Sequence, residues 1–190
     1  MDTKSKLVKV AFDEIYENGY KATSIDKILK KANMNKGSMY HFFKSKKELT
    51  LCVIEIHINN YIENKYASLL TIDDNIIDSL IKLIKTKNQY NYTYGCRLNN
   101  LVQELSSKDE NFKIALEKVY FKFEEIIEKV LQNALDNNEI SHPNIKDLAI
   151  YVVASIEGCL ATAKKSNSSD IYISCISQLE FYLNSLKIKQ

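Results

Sequence analysis

The sequence predicts an all-α fold, and three observations carry that prediction. Apolar residues recur at intervals of three and four along almost the whole chain. Period-two alternation of β-branched residues between turn signals is nearly absent. The single proline, Pro143, falls in a polar stretch and interrupts none of the helical patterns. With 190 residues, 45% of them hydrophobic and 26% charged, the chain can bury a core. No apolar run approaches the roughly 20 residues that a bilayer requires, and no secretory signal follows Met1, so a cytoplasmic address without a membrane partner is expected.

The first helix is expected over Thr3–Asn18, burying Leu7, Val8, Ala11, Phe12 and Ile15, with Gly19 free to take the left-handed conformation past its end. Thr23-Ser24 supplies a hydroxyl cap for a short helix carrying Ile25, Ile28, Leu29 and Ala32. Asn33-Met34-Asn35 reads as a tight turn, because Asn tolerates positive φ, and a second short helix follows over Lys36–Phe43. Two short helices joined in this way make a helix-turn-helix, in which Met34, Met39 and Phe43 are assigned to the core. Ser45-Lys46-Lys47-Glu48 is a capping box and opens a helix through Leu49, Val53 and Ile56 toward Tyr66.

Beyond it, Thr71-Ile72-Asp73-Asp74 is expected to start a helix through Ile84. A Tyr/Asn-rich break covers Tyr90–Gly95, and a short amphipathic helix covers Cys96–Leu105. Ser107-Lys108-Asp109-Glu110 opens the longest helix, with Phe112, Leu116, Val119, Phe123, Ile126, Val130 and Leu131 on one stripe. Two final helices, near 145–164 and 170–188, carry apolar residues on more than one face and need a partner. That makes about nine helices.

Charge is unevenly placed. Residues 1–50 hold 11 Lys against 6 Asp plus Glu, whereas the remainder is slightly acidic, and the whole chain carries only +2. A basic head suits phosphate, although exposed lysines also serve solubility. The four cysteines, Cys52, Cys96, Cys159 and Cys175, form no CxxC pair, which predicts reduced thiols and neither a zinc site nor a disulfide framework.

The run from Gly19-Tyr20 and Thr23-Ser24 through Asn33-Met34-Asn35-Lys36-Gly37-Ser38-Met39-Tyr40-His41-Phe42-Phe43-Lys44-Ser45-Lys46-Lys47-Glu48-Leu49 resembles the DNA-binding head of the TetR family of bacterial regulators. The residues support a nucleic-acid role by themselves. Gly37 and Ser38 let a helix N-terminus approach phosphate, Lys36 is placed for a base edge or a phosphate, and Tyr40 offers a hydroxyl to the DNA backbone. Ser24 and Lys46 are expected to hold phosphates on either side. Phe42 stands where relatives usually carry His or Tyr, which moves that contact to His41 or removes it; His41 without any role is the alternative.

The resemblance implies a DNA-binding domain over 1–47 and a ligand-binding and dimerisation body over 48–190. It also implies a homodimer whose partners are double-stranded DNA and a small-molecule effector, with no cofactor. Its dimer interface would use the last two helices, through Tyr151, Val152, Ser155, Ile156, Cys159, Ile176, Leu179 and Leu183; some of these are alternatively core within one chain. For the effector pocket, Tyr61, Tyr94, Cys96, Arg97, Phe112, Tyr120 and Phe123 are the candidates, against the alternative that an aromatic stripe is core. Gly95-Cys96-Arg97-Leu98-Asn99-Asn100 with Glu104-Leu105 resembles a segment found in a subset of the family. Arg97, the chain's only arginine, is assigned either to an anion or to an ion pair with a nearby Glu. Cys96 is either an electrophile- or oxidant-sensing thiolate or a small buried hydrophobe.

Two rivals come from other classes. An enzyme finds no HExxH, GxSxG or P-loop, and Glu139-Ile140-Ser141-His142 is a solitary pair where a metal bundle needs two; no catalytic or metal-binding residue is assigned. A helical protein-interaction module without sequence-specific DNA binding has no use for Lys36, Tyr40 and Lys46 together.

Overall fold

The computed structural model describes residues 2–188; Met1, Lys189 and Gln190, at the ends of the two expected domains, lie outside the described residues. Among the described residues ten α-helical segments follow one another: α1 (Thr3–Asn18), α2 (Ile25–Ala32), α3 (Lys36–Phe42), α4 (Lys46–Val53), α5 (Asn59–Tyr66), α6 (Ile76–Lys85), α7 (Arg97–Leu105), α8 (Glu110–Asp136), α9 (Ile145–Lys164) and α10 (Ser169–Ser185). A π-helical turn, Ile54–Ile58, joins α4 to α5 without a break, so the nine-helix expectation holds once these are taken as one rod. Among the described residues the only β pairing is an isolated bridge between Ile140 and Lys187.

The chain divides into two compact units. One comprises residues 1–61 and 97–120, the other 62–96 and 121–190. The first unit therefore holds α1–α4 together with α7 and the beginning of α8. Its core is Leu7, Val8, Ala11, Phe12 and Ile15 of α1 with Ile28, Leu29, Met39, Phe43, Leu49 and Val53, all buried as the helical spacing requires. Met34 departs from its core assignment and is only half-buried, since it sits in the turn itself. In the second unit Ile77, Leu80, Phe123, Ile127, Val152, Ile156, Tyr172 and Ile176 are among the buried core residues.

Local caps explain most boundaries. Asp2, Ser24, Asn35, Ser45, Asn144 and Ser168 each accept a backbone N–H three residues ahead at a helix start. Gly19 ends α1 at φ 84°, and Asn33 ends α2 in the left-handed region at φ 52°. The capping box at Ser45 is modified: Ser45 accepts from the Glu48 amide, and the Glu48 carboxylate accepts the amide of Lys44 at 2.7 Å.

Three expectations are corrected. The helix assigned to Thr71–Asp74 starts instead at Ile76, because Asn75 takes φ 49° and the cap arrives from a distance: Glu139 accepts the Ile76 and Ile77 amides at 2.8 and 2.9 Å. That contact also gives Glu139 a structural employment. Ile56 is 44% exposed, not buried, since the π turn adds a residue and passes the inward face to Ile54, Ile58 and Ile62. Finally, Cys159 and Cys175 form a disulfide between α9 and α10, with Cα atoms 5.5 Å apart. Helix packing brings together two residues whose 16-residue separation formed no motif; Cys52 and Cys96 remain thiols.

Candidate nucleic-acid interface

The helix-turn-helix is built outward from its buried side. Met39 is fully buried and Phe43 nearly so, which fixes α3 by one face and leaves Lys36, Gly37, Tyr40 and His41 exposed on the other. Tyr40 is 52% exposed. Asn35 caps α3 by accepting the Ser38 amide at 2.8 Å, and the Ser38 hydroxyl adds a second bond to the same oxygen at 3.1 Å. Space at Gly37 is tight, since a Cβ there would lie 3.2 Å from the Asn35 side-chain oxygen. His41 meets Phe42 edge-on at 4.8 Å, which leaves the imidazole at the surface.

Lys36 lies 3.0 Å from Asp26 in an ion pair with both side chains well exposed, and the carboxylate holds the Lys36 ammonium above its ordinary pKa. A pair this exposed to solvent contributes little, so exchange of Asp26 for a phosphate costs little. Ser24 caps α2 through its hydroxyl, which accepts the Lys27 amide at 3.1 Å and so adjoins the positive end of the helix.

Lys46 is used differently from its expected phosphate contact. Its ammonium donates to the carbonyls of Tyr20 and Thr23 at 2.8 and 2.9 Å and lies 4.0 Å from the centre of the Tyr20 ring. Burial lowers its pKa, partly opposed by the Glu104 charge. Lys46 thus holds the loop between α1 and α2 from inside. On the other side Glu14, fully buried, receives Lys27 at 2.9 Å and Lys31 more closely still. Burial alone would raise its carboxyl pKa; the two ammonium partners outweigh it and hold the value low.

The seven residues expected at an effector pocket divide between the two units. In the first, the Arg97 guanidinium lies over the rings of Tyr61 at 3.9 Å and of Phe12 and Tyr16 at 5.3 Å each, a stacked role that neither sequence alternative named. Phe112 is core, edge-on to Tyr20 at 5.1 Å, and Tyr120 is half-buried. In the second unit Phe123 is core against Tyr66, and Tyr94 is half-buried. Cys96, assigned to the same unit, donates its thiol to Glu157 Oε1 at 3.1 Å.

Sequence reasoning missed Glu157. Its carboxyl is buried with Oε2 lacking a hydrogen-bond partner, and burial, only partly opposed by the Cys96 hydrogen bond and Lys65, pushes its pKa up to about 7. A glutamate on an otherwise apolar helix face was the one signal that could have found it.

The dimer assignment also changes. Val152, Ile156, Cys159, Ile176, Leu179 and Leu183 are buried within the single chain, because the α9 and α10 stripes that carry them pack inward. Tyr151 remains exposed and Ser155 partly so, beside Ile150, Ala154, Gly158 and, on α10, Phe181 at 75% exposure. Tyr151 meets Tyr182 edge-on at 5.4 Å across the two helices.

Two measurements check these assignments. Lys46→Ala should cost about 1–2 kcal/mol of unfolding free energy through its lost charged hydrogen bonds, with the salt slope of DNA binding unchanged; a slope reduced by about one would return Lys46 to a phosphate. For Glu157 the folded pKa lies above the unfolded one, so the folded state binds the extra proton. Its contribution is complete below about pH 4.5 and is lost as pH rises through about 7. Urea unfolding across that range should show this fall, and Glu157→Gln should flatten it; an unflattened profile would place the titration elsewhere.

Known proteins with the same features place the chain. Residues 7–52 match the family described as bacterial regulatory proteins, tetR family, and residues 74–175 match the transcriptional regulator LmrA/YxaF-like C-terminal domain. The HTH-type regulator in the lacX 3′ region of Lactococcus lactis subsp. lactis is 29% identical over 174 residues, 90% of this chain and 87% of its own length. LmrA of Bacillus subtilis strain 168, also an HTH-type regulator, is 25% identical over 185 residues, 94% and 96% of the two chains. The fold is that of the reduced form of Escherichia coli NemR, at a TM-score of 0.86 over 99% of this chain and 98% of that one, with 22% identity. Within the described residues no helix is long and apolar enough to cross a membrane. The chain is a member of the TetR family of DNA-binding transcriptional regulators.

Proposed function

We propose that this regulator works as a cytoplasmic homodimeric repressor that reads an inverted-repeat operator with α3 and releases it when a small molecule binds the body. The observation that carries the DNA-reading part is the division of α3 into a buried face, Met39 backed by Phe43, and an exposed face bearing Lys36, Tyr40 and His41. Lys36 reads a base edge or the adjoining phosphate, Tyr40 and His41 reach the backbone, and Ser24, Gly37 and Ser38 offer amides and hydroxyls at helix N-termini. On this reading residues 1–47 bind DNA, residues 48–190 bind effector and partner, and no catalytic role is assigned.

Self-association is supported by the face that α9 and α10 leave uncovered. Ile150 and Tyr151 of α9 and Phe181 of α10 are exposed, as are the small residues Ala154 and Gly158 of α9, a combination of aromatic projections and close-approach positions that suits a second copy of the same surface. A dimer places two recognition helices about 34–36 Å apart, one turn of DNA, which is why the operator is expected to be symmetric. The effector then needs only to bind better to a form with a different spacing. For its site, Glu157 with Cys96 supplies a buried polar pair within the second unit. Repression follows the name carried by the E. coli repressor NemR, 24% identical over 141 residues. Nothing in the geometry favours the interaction-module alternative.

The test is selection of bound duplexes from a random pool by the purified full chain near physiological salt, repeated with Lys36→Ala. Enrichment of a two-fold symmetric site, with relaxed preference in the variant, is expected. A folded chain that enriches no site would overturn the reading, and a variant with unchanged preference would remove Lys36 from it.

A further inference from the structure

The loop between α1 and α2 is gripped by a residue from far along the chain. Glu104, near the end of α7, accepts the backbone amides of Tyr20 and Lys21 with its two oxygens, both at 2.8 Å. Contact is close enough that a Cβ on Gly19 would stand 3.2 Å from Glu104 Oε2. The carbonyls of the same loop are taken by Lys46, at Tyr20 and Thr23. Thr23 is itself buried, its hydroxyl donating to the carbonyls of Glu14 and Gly19 at 3.0 and 2.8 Å. Donors and acceptors of one short loop are therefore held by a carboxylate and an ammonium of opposite charge.

The position of this loop matters because it leads straight into the DNA-reading helices. Ser24, the next residue, caps α2, and α2 passes through the left-handed Asn33 directly into α3. The helix pair that meets DNA is thus hung from the clamped loop. At its other end α7 is fixed to α1 and α5 by Arg97, over Phe12, Tyr16 and Tyr61. α7 is consequently a strap pinned at both ends within the first unit, and Glu104 is its hold on the head.

We propose that Glu104 is a positioning residue for DNA binding: by clamping the Tyr20 and Lys21 amides it sets where the α2–α3 pair stands in the first unit. This rests on α3 being the DNA-reading helix. Glu104 touches no DNA in this scheme. Its loss lowers operator affinity without removing a phosphate contact, and a glutamine, with one acceptor oxygen where the carboxylate has two, gives a partial loss.

The experiment compares native chain, Glu104→Gln and Glu104→Ala, all full length. It measures amide hydrogen exchange at Tyr20 and Lys21, thermal unfolding, and the salt dependence of binding to the duplex that the native chain selects. Faster exchange at both amides is expected in Glu104→Ala. Its affinity should fall about tenfold, the scale of one lost charged hydrogen-bond pair, on a salt line parallel to the native one and with the same site preference. Glu104→Gln should fall between. Unchanged exchange would mean that the clamp does not exist in solution. Affinity within twofold of native despite faster exchange would reduce Glu104 to a structural cap, and so would a loss of affinity that appears only where the variant is unfolding. If the native chain selects no duplex, the DNA-reading role of α3 fails first and takes the proposal with it, an outcome distinct from a native chain that selects normally beside an indifferent variant.

Discussion

A helix of seven residues does not hold itself in water, since nucleation costs more than so few hydrogen bonds return. α3 is that short. On the proposed reading, DNA binding depends on burying one face of this helix firmly enough to keep the other presented. Met39 and Phe43 supply the burial, Asn33 turns the chain with the conformation that Asn accepts more readily than other residues with a side chain, and Asn35 caps the first turn. α1 and α4 complete the core that receives them. Tyr40 and His41, on the exposed face, take no part in that core.

The same economy recurs wherever charged side chains meet the backbone. Lys46 takes two carbonyls, Glu104 two amides, and Glu139 the first two amides of α6. Asp109 takes the Asn111 amide at the start of α8 and pairs with Lys47. A full charge held by fixed backbone dipoles makes a stronger and more directional hydrogen bond than a neutral pair. Segments without regular structure are located in this way, and one of them carries the helix-turn-helix. Much of the basic charge in the first fifty residues is accordingly internal in its use: Lys27 and Lys31 serve Glu14, Lys46 serves the loop, and Lys47 serves Asp109.

The features legible in the sequence are local ones. The bounds of α1 and α9 come from their spacing and caps, and α2 and α3 from Ser24, Asn33 and Asn35, because a cap and its helix lie within four residues of each other. The helix-turn-helix and the family are legible on the same basis. Contacts that cross the chain are not. The start of α6 is decided by Glu139, some 60 residues away; Lys46 reads as an outward phosphate contact because its partners, Tyr20 and Thr23, belong to another element. Periodicity identifies the apolar stripes of α9 and α10 but does not say which stripe faces the chain's own core, so Val152 and Leu179 read as partner-facing while it is Phe181 that lies on the open face. Cys159 and Cys175 show no pairing in the sequence for the same reason.

On this account the DNA-reading helix is held in place before DNA arrives. Native-state hydrogen exchange of the DNA-free chain tests this at the Phe43 amide, which donates to the Met39 carbonyl at 2.8 Å and closes α3. Protection comparable to that of the α1 core, at Ala11 and Ile15, is the predicted result, since all belong to one buried cluster. Exchange at the rate of an unstructured peptide would mean that α3 forms only on DNA, and would contradict the account.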